Sequence, residues 1–215
     1  MSAKDEILQR VSRGVGKPDF AARRVLAEAW MAAQARGPQP QIEAGLAVRF
    51  QQKAEYLAST VALISAGSEA PAAVARYLAA GQLGQRAVCT HDLLGLDWAA
   101  HGLSVEARAA VDADLVGISG CFCAIAETGT LMLLSGPTTP ATVSLLPETH
   151  IALVPIARIV PTMEDAFALL QRECGNMPRA VNFISGPSRT GDIEQTIVLG
   201  AHGPCRVHLI LMGMP

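Results

Sequence analysis

HIALVPIARIVPTMEDAFALLQREC, residues 150–174, decides the fold class. Its first part, HIALVPI (150–156), is a short apolar run without a charge, the pattern of a strand buried on both faces. Its last part, MEDAFALLQREC (163–174), mixes apolar and charged residues as an amphipathic helix does. A buried strand leading into such a helix belongs to a layered α/β protein. The same texture extends in both directions. Downstream, AVNFIS (180–185) and RVHLILM (206–212) complete the apolar runs. Upstream, TLMLL (130–134), Leu115 to Ser119 and RAVCT (86–90) are further strands, and PAAVARYLAAG (71–81) is a helix. These runs predict an α/β fold with a largely parallel sheet.

Ahead of Pro71 the chain reads as helical. Ser2, with Asp5 three positions on, resembles a capping box opening a helix that carries Ile7, Leu8 and Val11. Pro18 stands near the start of a second helix, from about Asp19 to Gln34, and RGPQPQ (36–41) reads as a linker. A third helix is expected from about Glu43 to Ser65, with Leu46, Phe50, Leu57 and Ile64 at near-helical spacing. The expected division is an N-terminal helical segment, 1–66, and an α/β domain, 67–215.

Half of the 215 residues are hydrophobic and 17% are charged, enough for one sizeable core. Net charge is -2 with no basic block, and aromatics make up only 4%. Neither a nucleic-acid footprint nor a base-stacking surface is expected. No apolar stretch approaches a membrane span, and MSAKDEILQR lacks the apolar core of a signal peptide, so the cytoplasm is the expected location. Five cysteines cannot all pair within one chain, which fits a reducing compartment. Cys121-Phe122-Cys123 has no second cysteine pair to complete a cluster site, and no metal is expected.

Chemistry-bearing residues gather in FISGPSRTGDIEQTIVLGAHGP (183–204). Gly186 to Gly191 has the glycine spacing of a P-loop, but Asp192 and Ile193 stand where Lys and Ser or Thr should follow, so a triphosphate is excluded. What remains is a strand turning into a helix that starts near Thr190. Free amides there attract anions, and Ser188, Arg189 and Thr190 offer side-chain donors; equally, Ser188 or Thr190 could simply cap the helix. Asp192 and Glu194, two apart, would point to different faces of that helix, with Asp192 nearer the junction. His202, between Gly200 and Gly203 and before Pro204, is a candidate acid, base or hydrogen-bond partner. Glu127-Thr128-Gly129-Thr130 forms a turn before a buried strand, where the glutamate could cap amides or act as nucleophile or base. In SLLPETHI (144–151), Leu145 and Leu146 read as packing and His150 as site-facing.

Taken in order, AETGT, SLLPETHI, GPSRTGDIE and GAHGP resemble the LUD-domain family, in its lactate utilization protein C branch, from about Val116 to Leu211. The resemblance implies an open three-layer α/β/α sandwich like that of the sugar-phosphate isomerase and CoA-transferase group. It also implies a part in oxidising L-lactate to pyruvate beside two iron–sulfur protein partners. This chain lacks cluster-binding cysteine motifs, so clusters would sit on those partners and no cofactor is expected here. The family's motif positions fall on Glu127, Thr128, Gly129 and Thr130, on Gly186, Pro187, Ser188, Asp192, Ile193 and Glu194, and on Gly200, His202, Gly203 and Pro204. Relatives often carry a Gly-Arg pair shortly before SLLP, whereas GPTTPATVSLLP has no cation; if that arginine holds an anionic ligand, either Arg189 substitutes for it here or the ligand differs. Glu127, Asp192 and His202 are therefore the expected catalytic residues, converging on a small anionic ligand. Two other readings stay open: a free-standing enzyme using Glu127 on a carboxylate, CoA ester or sugar phosphate, and a non-catalytic scaffold.

Overall fold

The computed structural model describes residues 2–15, 19–33, 35, 37–38, 42, 45–190 and 198–213. It divides into two units, Met1–Gln39 and Pro40–Pro215. In the first, α1 (Ala3–Val15) opens as the sequence predicts: the Ser2 hydroxyl donates to the Asp5 carboxylate at 2.8 Å and accepts from the Asp5 amide at 3.3 Å. Asp19 opens α2 (Phe20–Ala33) by accepting from the Ala22 amide at 3.0 Å.

The second unit is built on six parallel strands: β1 (Thr60–Ile64), β2 (Arg86–Cys89), β3 (Ser104–Ala107), β4 (Val116–Ser119), β7 (Thr149–Pro155) and β12 (Arg206–Met212). Their spatial order is β1-β12-β7-β4-β2-β3, so β12 lies between β1 and β7. A second sheet, in the order β8-β5-β6-β9, joins β5 (Cys123–Ile125), β6 (Thr130–Leu134), β8 (Ile159–Val160) and β9 (Val181–Ile184). Here β6 runs antiparallel to both its neighbours, as a short turn from β5 demands.

Alternation along the central strands sorts their side chains into two cores. Ile151, Leu153 and Ile210 face α4 (Ala70–Ala80) through Val74 and Leu78. On the other face, Ala152, Val154, Leu209 and Leu211 meet Phe50 and Ala54 of α3 (Leu46–Tyr56) and Leu131 and Leu133 of the second sheet. The second sheet's far side, Cys123, Ile125 and Met132, packs on Ala166, Leu169 and Leu170 of α6 (Met163–Glu173). Thr162 caps α6 by accepting from the Asp165 amide, and Glu164 and Asp165 suit the positive end of its dipole. Helices thus flank a mostly parallel sheet on both sides, the predicted α/β/α sandwich, with a small sheet set into one outer layer.

One expected element changes identity. The third helix ends at Tyr56 rather than near Ser65; Ala58 turns the chain at φ 65°, and Thr60–Ile64 becomes β1. TVALI is rich in strand-forming residues, and β12 pairs along its whole length. Part of segment 1–66 therefore belongs to the α/β unit, whose boundary falls between residues 39 and 40 instead of at 66.

Candidate functional site

The turn that carries Glu127 is shaped by its neighbours. Gly129 adopts φ 70° and its amide donates to the Ile125 carbonyl at 2.9 Å, while the Glu127 amide donates to Pro161 at 3.0 Å. A Cβ on Gly129 would lie 2.5 Å from the Ala54 nitrogen, so the turn rests directly on the α3 backbone. Beside it, the Thr128 hydroxyl donates to Thr130 at 2.8 Å, and Thr130 shares a 2.7 Å bond with Ser185. This row of hydroxyls, the Glu127 carboxylate and Lys53 of α3 line one open hollow of about 580 Å³, walled by Tyr56, Met163 and Phe183. The hollow therefore presents a cation and an acid about a strip of hydroxyl groups.

The segment after β9 departs from expectation. Arg189 and Thr190, where the helix was expected to start, form β10 (Arg189–Thr190), which pairs antiparallel with β11 (Val198–Leu199); residues 191–197, where that helix would continue, lie outside the described residues. The Ser188 amide donates to Pro204 at 2.8 Å, and the Gly200 amide donates to Ser188 at 3.0 Å. These bonds occupy the Ser188 amide that a helix N-terminus would have offered to an anion. Asp192 and Glu194, with Gly191 and Ile193, lie outside the described residues. Gly186, at φ 78°, leaves no room for a Cβ against the Leu57 carbonyl, and Gly200, at φ 81°, none against Cys205. His202 is exposed in that loop, with Gly203 against Ser188. Ser188, Gly200, His202 and Gly203 thus gather in one place, but none of them, nor Arg189, lines the Glu127 hollow.

A second cavity, of about 300 Å³, opens at the carboxyl ends of β2 and β4, where open α/β sheets bind ligands. Thr90 and Ser119, each next to or at the end of its strand, contribute hydroxyls, and Ser144 of α5 (Thr142–Leu145) a third. Asp92 and Asn182 stand at its sides; Phe122, Leu133 and Leu134 form apolar wall. Close approach of α5 is possible because β4 carries Gly117, where any Cβ would strike the Val143 carbonyl. His150, expected to face a site, is instead completely buried and reaches the cavity only through Ser119, whose Oγ lies 2.8 Å from its Nε2. Burial pushes the His150 pKa down to about 4, so the ring is neutral. Burial likewise pushes the Cys121 thiol up to about 12, and those of Cys89 and Cys123 to about 11. Among the described residues no group of three or more His, Cys, Asp or Glu side chains is placed to hold a metal ion. Lys53, Thr90, Asp92, Ser119 and Asn182 were not marked by any motif; the available signal was a hydroxyl closing each of two apolar strands, RAVC-T and VGI-S.

The LUD domain profile matches residues 48–212, which take in α3 and β1 as well as the later motifs. This chain belongs to the LUD domain family. Its LUD domain is similar to Lactate utilization protein C of Exiguobacterium sp., 42% identical over 106 residues, 48% of this chain and 46% of that one. It is also similar to Lactate utilization protein C 1 of Bacillus mycoides, 41% identical over 54% of this chain and 50% of the relative, and to Lactate utilization protein C of Bacillus subtilis, 41% identical over 45% and 42%. The chain thus spans about half the length of the curated relatives it matches. A crystal structure of a DUF162 family protein from Deinococcus radiodurans superposes with a TM-score of 0.58 at 24% identity, over 81% of this chain and 100% of that one. The two share the LUD fold. No helix among the described residues is long and apolar enough to cross a membrane.

Proposed function

We propose that this LUD-domain protein is a cytoplasmic component of a lactate-utilization system, acting with iron–sulfur partner proteins to oxidise L-lactate to pyruvate. The observation that carries this reading is the identity of about 40% with relatives named Lactate utilization protein C. Its own residues supply binding rather than redox chemistry, and the clusters reside on the partners. In this reading the Glu127 hollow takes a small anion: Lys53 supplies the cation that the sequence was missing before SLLP, and the Thr128–Thr130–Ser185 chain, with Thr128 donating to Thr130, leaves one hydroxyl hydrogen of Thr130 or Ser185 for the anion. The Glu127 carboxylate lines the hollow with no hydrogen bond or ion pair among the described residues, open to a ligand there. His202, with Gly200, Gly203 and Ser188, forms a separate surface for a partner.

Growth tests the proposal. A host deleted for this gene, and without another lactate dehydrogenase, should fail on L-lactate as sole carbon source. The wild-type gene should restore growth, and Glu127→Gln should not. Normal growth of the deletion strain would remove the pathway assignment; full rescue by Glu127→Gln would remove the Glu127 hollow while leaving the pathway intact.

A further inference from the structure

The 300 Å³ cavity at the ends of β2 and β4 takes no part in the reading above. Three of its hydroxyls are deeply buried, Thr90 at 4%, Ser119 at 1% and Ser144 at 2% exposure, and Ser144 donates to the Ala141 carbonyl. Thr90 Oγ1 has no partner among the described residues, and a buried hydroxyl left unpaired is the exception in folded chains. Ser119 is paired, yet its partner fixes which way its proton points. His150 Nδ1 is buried without a partner among the described residues, while Nε2 meets Ser119. An orphaned buried N–H is rarer than an orphaned acceptor, which places the ring proton on Nε2. His150 therefore donates to Ser119, and the Ser119 hydroxyl hydrogen is left to point into the cavity.

The same pair could be mistaken for a nucleophile and its base. Proton transfer from Ser119 would create an imidazolium in a completely buried site, and neither His150 nitrogen meets a carboxylate among the described residues. Without such a partner the charged ring is disfavoured, so the pair works as a donor array.

Charge then selects the ligand. Among the described residues Asp92 is the one carboxylate of the lining, which includes no lysine or arginine. Its carboxylate lies over Gly120, where a Cβ would sit 2.6 Å from Oδ2, next in sequence to Ser119. A carboxylate ligand within about 5 Å of Asp92 would lose on the order of a hundredfold in affinity to repulsion. A neutral group with a donor gains a charge-assisted hydrogen bond instead. Phe122, Leu133 and Leu134 cover an apolar ring face, and the volume suits one substituted six-membered ring. We propose that this cavity binds an uncharged, ring-sized carbonyl or amide compound, whose oxygen accepts from Ser119 and Thr90 and whose donor reaches Asp92.

Benzamide and benzoate share one ring and differ in charge, which makes them a matched pair of probes for the full chain. Titration followed by protein-observed NMR should give a millimolar Kd for benzamide and at least tenfold weaker binding of benzoate. Asp92→Asn should narrow that gap, and Thr90→Val and Ser119→Ala should each weaken benzamide about tenfold. Thr90→Val keeps shape, so it decides the matter where Ser119→Ala disturbs His150 and the fold. Failure of benzamide to bind, benzoate binding as well as benzamide, or indifference to Thr90→Val would each overturn the proposal. Hydrolysis of p-nitrophenyl acetate that Ser119→Ala abolishes would overturn it in favour of a nucleophilic serine.

Discussion

Lowering the pH from 7 to 5 should cost this fold about 4 kcal/mol through two buried imidazoles. His150 and His208 sit on the adjacent strands β7 and β12, on opposite faces of the sheet. His150 bonds Ser119 on one face. His208 stacks on Tyr77 of α4 on the other, ring centroids 3.9 Å apart, with Nδ1 2.8 Å from the Thr60 hydroxyl. Burial pushes each pKa from 6.5 down to about 4. As the pH falls, an unfolded chain takes up these protons near 6.5, whereas the folded chain resists until about 4. Stability is therefore fully present above pH 6.5 and is lost progressively toward pH 4. Between pH 7 and 5 each histidine accounts for about 2 kcal/mol, and the two add because they share no partner. Urea unfolding followed by circular dichroism at both pH values measures it. With an m-value of about 2–3 kcal/mol/M, the midpoint should drop by about 1.3–2 M. His208→Phe keeps the stack on Tyr77 and should halve the drop. A midpoint that moves by less than about 0.5 M in the native protein would refute the burial argument for both rings.

Gly129→Ala should destabilise by about 2 kcal/mol or more, because both its φ of 70° and the α3 backbone 2.5 Å away oppose a Cβ; an unchanged urea midpoint would sink that account. Arg158 donates twice to Glu173 at 2.8 and 2.9 Å and once to the Phe122 carbonyl at 2.8 Å, tying α6 to the loop before β5. Arg158→Met should lower stability by about 1–2 kcal/mol, the exposure of the pair holding it to that range, and calorimetry checks it. Iodoacetamide applied to the folded protein should spare Cys89 and Cys123, which are completely buried with thiols raised to about 11; mass spectrometry finding either labelled first would contradict their placement. His202→Asn should leave the melting temperature within about 2 °C, since the ring is exposed, and a larger loss would give it a structural role.

Elements whose signal is local were legible in the sequence. TLMLL and RVHLILM form strands over just the residues their composition marks, and Thr162 with Asp165 caps α6 where the amphipathic pattern starts. TVALI was lost to a helix because Leu57 and Ile64 continued a near-helical spacing, while the strand that claims it pairs Thr60 with His208 far along the chain. The Glu127 turn was legible from its glycine. The hairpin of β10 and β11 was not, because Ser188, Thr190 and Asp192 have the composition of a helix cap and only long-range amide bonds to Pro204 decide otherwise. Thr90 and Ser119 carried no motif; their meaning comes from the strand ends that bring them together, and that is a property of topology.

The position of β12 fixes the order in which this protein can be assembled as it is made. The five other strands of the central sheet all precede it in sequence, yet it fills the gap between β1 and β7. Until the ribosome has released residues 206–212, β1 has no partner in the sheet and β7 has only β4. A nascent chain therefore waits with two unpaired strand borders and an uncovered apolar floor, a form prone to pairing with other chains. The Thr60–His208 contact, 148 residues apart, closes last, so the central sheet cannot be completed before residues 206–212 are available to it. Stalled or shortened products lacking β12 become natural clients for chaperones and proteases, a quality-control step set by strand order alone.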